Sequence, residues 1–206
     1  MTEPIYFNYG KKETDYLKRR DPILGAAISE IGHIHREVIP DMFAALVHSI
    51  IGQQISTKAH ATVWARVLSL LDSITPQAVA SLSDEELQGC GITFKKAAYI
   101  KGIASSVLDG SLDLVFMQTQ SDDEIRNRLK QINGIGFWTA EMLMIFSMQR
   151  PNVMSFGDLA ILRGLKILYH HREITPKLFE KYKRRYSPCA TVASLYLWAI
   201  ASRTKV

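Results

Sequence analysis

Cysteine is scarce in this sequence of 206 residues, in which only Cys90 and Cys189 occur. Two cysteines exclude a scaffold of several disulfides, a four-thiolate zinc site and an iron–sulfur cluster held by four thiolates. So low a cysteine content is typical of a reducing, intracellular compartment. The sequence also lacks an apolar run long enough to cross a membrane, and Met1-Thr2-Glu3-Pro4 is unlike a signal peptide. We therefore expect an intracellular protein that holds no iron–sulfur cluster and contacts no membrane.

Strand signals are absent as well, because no segment alternates apolar and polar residues with a period of two. Apolar residues instead recur at helical spacing, as in Phe43, Leu46, Val47, Ile50 and Ile51. Apolar residues make up 47% of the chain, which is enough for a globular core. These patterns predict an all-α fold of about ten helices.

The charge balance is basic, with a net charge of +5 and a pI near 9.2. A basic chain favours a polyanionic partner, although many equally basic proteins bind none. The six histidines include two pairs, His33/His35 and His170/His171, but neither pair has the i,i+4 spacing of a helical metal site. The sequence therefore predicts no metal held by side chains.

The most informative segment joins two apolar helices through Gly134-Ile135-Gly136. So short and glycine-rich a turn predicts a tight hairpin that leaves backbone N–H groups bare at the start of the second helix. Bare amides and the helix dipole together favour an anion there, and glycine allows a phosphate to approach the backbone. The alternative interpretation of the same residues is an ordinary turn between two helices.

Asp158 follows Gly136 by 22 residues and directly follows Gly157. On its own, Gly157-Asp158-Leu159 is typical of a helix N-cap. A buried or preorganised carboxylate also suits reactions that build positive charge on a sugar, since it stabilises an oxocarbenium-like transition state. The residues alone leave both roles open.

Three blocks in this order resemble the helix-hairpin-helix superfamily of DNA repair glycosylases. They are Ser49–Ser56 (SIIGQQIS), Ile132–Glu141 (INGIGFWTAE) and Ser155–Ala160 (SFGDLA). The resemblance covers nearly the whole chain and is greatest to the 3-methyladenine DNA glycosylase II group, which excises alkylated purines. It implies two helical lobes with a helix-hairpin-helix motif at the DNA-binding cleft. A six-helix lobe would cover 35–150, and a second lobe would combine 1–34 with 151–206.

The resemblance implies that Asp158 is the catalytic residue. Members that also cut the strand carry a lysine nucleophile just before the Thr-Ala pair of the hairpin motif, and this chain has Trp138 there. It therefore implies simple hydrolysis without lyase activity. Trp138 would stack on the electron-poor alkylated base, and the alternative is a core tryptophan. Met142 and Leu159 would line the base pocket, whereas Trp64 and Trp198 are expected in the core.

The remaining predicted residues contact DNA. Gln54 stands where the family inserts a side chain into the duplex after the base is extruded, and Gln53 would face the same region. Gly134, Gly136 and Thr139 would contact a phosphate. The backbone carbonyls around Ile132 and Gly134 would hold a monovalent cation, Na⁺ or K⁺.

These implications predict a monofunctional glycosylase of base excision repair that acts on alkylated purines such as 3-methyladenine and 7-methylguanine. Its partner would be double-stranded DNA with a damaged base, bound by a monomer. We expect it in the cytoplasm at the nucleoid, or in the nucleus of a eukaryote. Two alternatives remain: a non-catalytic DNA-binding module selective for structure, which would not need Asp158, and a glycosylase for another damaged or mismatched base.

Overall fold

The computed structural model describes residues 3–71 and 73–203. The predicted segments at the chain ends reach beyond this range, so residues 1–2 and 204–206 of those predictions lie outside the described residues. Among the residues described, no helix combines the length and apolar character that crossing a bilayer requires.

The chain is helical along most of its described length, which confirms the predicted fold class. The helices are α1 (Lys11–Arg20), α2 (Pro22–Ile31), α3 (Met42–Gly52), α4 (Thr57–Leu70), α5 (Pro76–Ser81), α6 (Asp84–Gly89), α7 (Phe94–Leu108), α8 (Leu114–Gln118), α9 (Asp122–Leu129), α10 (Phe137–Phe146), α11 (Leu159–Tyr169), α12 (Pro176–Tyr186) and α13 (Ala190–Arg203). Local capping explains most starts, since side chains such as Asp41, Ser56 and Thr93 accept a backbone N–H of the first turn.

Two very short strands, β1 (Ile5–Tyr6) and β2 (Glu37–Val38), pair antiparallel. The sequence analysis missed this small sheet, because two residues are too few to show an alternating pattern. It also missed the five-residue helix α8, which spans little more than one turn.

The chain divides into two compact units. The end unit comprises Met1–Val38 and Gln149–Val206, and the hairpin unit comprises Ile39–Met148. The sequence analysis drew these boundaries at 34/35 and 150/151. Each unit has a core of its own, and each is described separately below.

The hairpin unit is built around α3, α7 and α10. Helix α3 buries Leu46, Val47, Ile50 and Ile51, and packs on α4, α7 and α10. Helix α10 is apolar almost all round, so nearly every residue from Thr139 to Ile145 is buried. The helix pair α9 and α10, which carries the hairpin, is thus tied directly to α3.

The end unit centres on the close packing of α11 against α13. Gly164 of α11 makes this approach possible, because a Cβ there would collide with the backbone of Leu197. Helix α13 consequently buries nearly all of its residues from Ala190 to Leu197. This pairing fixes the start of α11, where Asp158 lies.

Candidate functional site

The hairpin between α9 and α10 requires glycine at one of its two glycine positions. Gly134 has φ +88°, and a Cβ there would lie 2.5 Å from Cδ2 of Tyr99. Gly136 is the N-cap of α10, has φ −83°, and would place a Cβ in open space. No side chain caps the first amides of α10, so an anion can bind there through backbone donors.

Gln53 is bonded to this hairpin. Its side-chain Nε2 donates a hydrogen bond of 2.7 Å to the carbonyl oxygen of Gly134. This bond uses one of the two N–H donors of the Gln53 amide, so the DNA contact expected for Gln53 stays a prediction. Among the predicted site residues, Gln53 and Gly134 are therefore brought together.

The two carbonyls predicted to hold a cation each accept one hydrogen bond. The Gly134 oxygen accepts from Gln53, and the Ile132 oxygen accepts from the N–H of Ile135 at 3.0 Å. A carbonyl oxygen has a second lone pair, so this donor set still fits a monovalent ion. Within residues 3–71 and 73–203, no group of three or more His, Cys, Asp or Glu side chains is arranged to hold a metal.

The segment 52–56, which we call the glutamine loop, is contacted by side chains of α4 and α7. Lys96 Nζ donates to the carbonyl oxygens of Ile51 at 2.8 Å and Gln53 at 2.7 Å. Burial lowers the pKa of this ammonium group, since water no longer solvates its charge fully. The His60 ring lies under Gly52, where a Cβ would be 2.7 Å from its Cε1. These contacts restrain the loop from the side of α4 and α7.

Gln54 lies at the tip of the glutamine loop. It is exposed and adopts φ +57°, a left-handed conformation that is uncommon for a residue other than glycine. The adjacent residue Gln53 is held by its bonds to Gly134 and Lys96, which restrains the backbone at Gln54. A side chain presented in this way suits insertion into a duplex.

A histidine pair underlies the same loop. The rings of His48 and His60 are 4.1 Å apart, and His60 Nε2 lies 3.0 Å from the carbonyl oxygen of His48. Burial, with a smaller contribution from His60, lowers the pKa of His48 to about 4. The sequence gives no sign of this contact, because the two histidines are 12 residues apart and lie on different helices.

Trp138 lies in the first turn of α10 with 47% of its surface exposed. It is therefore not the fully buried core residue that was the alternative prediction. Thr139 and Met142 are both 8% exposed, so the predicted phosphate contact of Thr139 and the predicted pocket position of Met142 fall on buried side chains. Of these three residues, Trp138 is the accessible one.

Asp158 is the N-cap of α11 and is 7% exposed. Its Oδ1 accepts hydrogen bonds from the N–H groups of Ala160 at 2.9 Å and Ile161 at 3.0 Å. The indole Nε1 of Trp198 donates to the same oxygen at 3.1 Å. The N-cap interpretation is therefore realised, and the carboxylate is also held by a donor from α13.

Trp198 is the residue at this position that sequence reasoning misassigned. We expected it in the core, and the structure finds it half-buried with its polar edge on Asp158. The two residues are 40 positions apart, so only the packing of α11 on α13 reveals the contact. Leu159, predicted to line the pocket, is 81% exposed beside Asp158.

Residues 47–189 match the family model of the HhH-GPD superfamily of base excision DNA repair proteins. The chain belongs to this superfamily. The match includes both the hairpin and Asp158, so all three sequence blocks fall inside it.

Similar HhH-GPD proteins carry the names of glycosylases. The chain is 32% identical over 161 residues to DNA-3-methyladenine glycosylase 1 of Schizosaccharomyces pombe, covering 76% of this chain and 71% of that protein. A crystal structure of a DNA-3-methyladenine glycosidase from Bacillus halodurans is 32% identical, with a TM-score of 0.83 over 97% of this chain and 93% of that one. The predicted resemblance is confirmed.

A further HhH-GPD structure is bound to DNA. It is the S. pombe 3-methyladenine DNA glycosylase in complex with abasic DNA, 28% identical, with a TM-score of 0.78 over 91% of this chain and 95% of that one. Family and relatives together support the coarser part of the predicted function, a DNA-binding glycosylase of base excision repair.

Proposed function

We propose that this protein is a monofunctional DNA glycosylase that hydrolyses the N-glycosidic bond of alkylated purines such as 3-methyladenine and 7-methylguanine. The observation that carries the proposal is the setting of Asp158. Three N–H donors converge on one of its oxygens and fix the carboxylate at the start of α11. Such preorganisation lets a charge stabilise a transition state without rearranging first.

Asp158 would act on the sugar. As the bond between C1′ and the purine nitrogen breaks, its electrons leave with the base and positive charge grows on the sugar. The carboxylate stabilises this charge and accepts a proton from the water that adds to C1′. The products are the free purine and an abasic site.

Gln54 and the hairpin would hold the distorted DNA. A base inside a duplex is out of reach, so it must first be extruded. The exposed Gln54 would fill the gap and bond the orphaned partner base, while the amides at Gly136 would bind a phosphate. Gln53 would act through its bond to Gly134, keeping the glutamine loop in register with the hairpin. The carbonyl oxygens of Ile132 and Gly134 would hold a Na⁺ or K⁺ ion, whose charge attracts the phosphate.

Trp138 supports both the substrate and the reaction type. Its exposed indole offers a π-face to a cationic alkylated base. It also stands where a lysine nucleophile would be needed for strand cleavage, and an indole cannot form a Schiff base. We propose that the enzyme binds damaged double-stranded DNA as a monomer.

The substitution Asp158→Asn tests this mechanism. Asparagine also caps helices well, so we expect α11 to remain folded and DNA affinity to stay within about twofold. The rate of base release should fall by at least about a hundredfold, because the negative charge is lost.

The matched control is Asp113→Asn, which makes the same change at the N-cap of α8. It should leave base release unchanged. Wild-type rates in folded Asp158→Asn would contradict the catalytic assignment, and loss of folding would show that the N-cap role dominates. Single-turnover kinetics on methylated duplex, with circular dichroism, provide both readouts.

A further inference from the structure

The net positive charge of this protein lies in one of its two units. The end unit contains 17 lysines and arginines against nine acidic residues, a net charge of +8. The hairpin unit contains eight against 11, a net charge of −3. The predicted DNA contacts of the hairpin unit rely on backbone amides and glutamines, so the attraction for a polyanion must come mainly from the end unit.

Helix α12 carries much of this charge on one face. It has five basic residues and one acid, Glu180. Phe179, Tyr182 and Tyr186 are buried on one side. Lys177, Lys181 and Arg184 recur at i, i+4 and i+7 on the other, and all three are exposed. They form a row of positive charges along the outer face of α12.

Helix α1 extends this row of positive charges. It packs on α12, and Arg20 Nε donates to the carbonyl oxygen of Arg185 at 3.4 Å. Arg19 and Arg20 are both exposed at the end of α1. We call the five residues Lys177, Lys181, Arg184, Arg19 and Arg20 the basic stripe. Among the described residues, no ion pair neutralises them.

Helix stability accounts for only part of this pattern. Positive charges in a last turn are favourable, which explains Arg184, Arg19 and Arg20 without any ligand. Lys177 lies in the first turn of α12, where the helix dipole disfavours a cation. Arg185 forms an ion pair with the buried Asp21 at 2.6 Å. Its presence is therefore explained by this partner together with its favourable place in the last turn. The stripe residues are instead exposed to solvent, and no acidic partner is paired with them among the described residues.

We propose that the basic stripe binds the phosphate backbone of duplex DNA outside the lesion, independently of base damage. From Lys177 to Arg184 the helix rises by about 10 Å, which matches about three phosphates of one strand. This contact rests on the proposed DNA substrate but not on the proposed chemistry. It would supply the non-specific affinity with which the protein searches intact DNA.

The test is the salt dependence of binding to undamaged duplex by the triple variant Lys177→Gln/Lys181→Gln/Arg184→Gln. The slope of log K against log salt is negative, and each lost phosphate contact reduces its magnitude by about 0.9. The magnitude should therefore be smaller by about two to three in the triple variant than in wild type. The control Lys11→Gln/Lys12→Gln/Lys166→Gln removes the same charge from exposed residues outside the stripe. Its slope should fall by less than about one.

Equal slopes for wild type and the α12 triple variant would overturn the proposal. An equal reduction of the slope in the α12 triple variant and in the control triple variant would also overturn it, because net charge alone would then explain the effect. If the triple variant melts early, the single variants Lys177→Gln and Lys181→Gln should each lower the slope by about one. Base release from methylated duplex is measured in parallel. A wild type that releases no base refutes the proposed chemistry, whereas the slopes still decide the stripe.

Discussion

At the residue scale, the N-cap role of Asp158 is compatible with the catalytic role that we propose for it. The Oδ1 atom caps α11 and accepts the indole N–H of Trp198. A carboxylate fixed by three donors loses little freedom when it is put to use, so capping supplies the preorganisation that the proposed reaction needs. The sequence alone leaves the two roles as alternatives; the geometry shows the cap, and the catalytic role stays a prediction.

Trp138 leads to a prediction about covalent chemistry. Because an indole cannot attack C1′ to form a Schiff base, borohydride should trap no protein–DNA adduct during base release. A glycosylase with a lysine nucleophile serves as the positive control on the same duplex, with adducts resolved by denaturing electrophoresis. An adduct with the present protein would refute the claim that it lacks lyase activity.

At the scale of elements, the hairpin and the glutamine loop behave as one structure. Gln53 bonds Gly134, Tyr99 lies against Gly134, and Lys96 holds the loop from α7. Elements far apart in sequence thus set the position of the exposed Gln54. A change on any one of these contacts should therefore affect both the hairpin and the loop.

The two hairpin glycines provide a matched pair of substitutions. Gly134→Ala should destabilise the protein by about 2 kcal/mol or more, since it adds left-handed strain and overlap with Tyr99. Gly136→Ala, which meets open space, should cost less than about 1 kcal/mol. It should nevertheless weaken DNA binding, because its Cβ intrudes where a phosphate would approach. Chemical denaturation and DNA titration of both variants measure these effects, and equal losses of stability would contradict this account.

The histidine pair predicts a pH dependence of stability. Burial and the nearby His60 hold the pKa of His48 at about 4, below the usual 6.5, so the unfolded chain binds a proton that the folded chain does not. The free energy of unfolding should therefore be at its highest above pH 6.5, as far as His48 determines it, and should decline as the pH falls towards 4. Denaturant titrations across this window should give a shallower decline for His48→Gln than for wild type or the control His35→Gln. An unchanged slope would contradict the burial effect.

At the scale of the whole molecule, helices and hairpin were predictable and their contacts were not. Periodicity and capping signals such as those at Phe43 and Ser121 lie within one element, so the sequence displays them directly. The Trp198–Asp158 bond and the Lys96 anchors join residues about 40 positions apart. Only the packing of α11 on α13 and of α7 on α3 brings such partners together.

The charge asymmetry also emerges only at this scale. A net charge of +5 gives weak support for a polyanionic partner, whereas its division into +8 and −3 shows that the net positive charge lies in the end unit. The family match covers the hairpin and Asp158. It does not by itself explain why α12 carries lysines in its first turns.

The central claim is that this protein releases alkylated purines from DNA by hydrolysis. The most direct measurement is to incubate it with methylated duplex DNA and to separate and identify the bases set free. We expect free 3-methyladenine or 7-methylguanine, together with intact strands that carry abasic sites. Tight binding to the duplex with no free purine would contradict it, and would favour the non-catalytic module or a different damaged base.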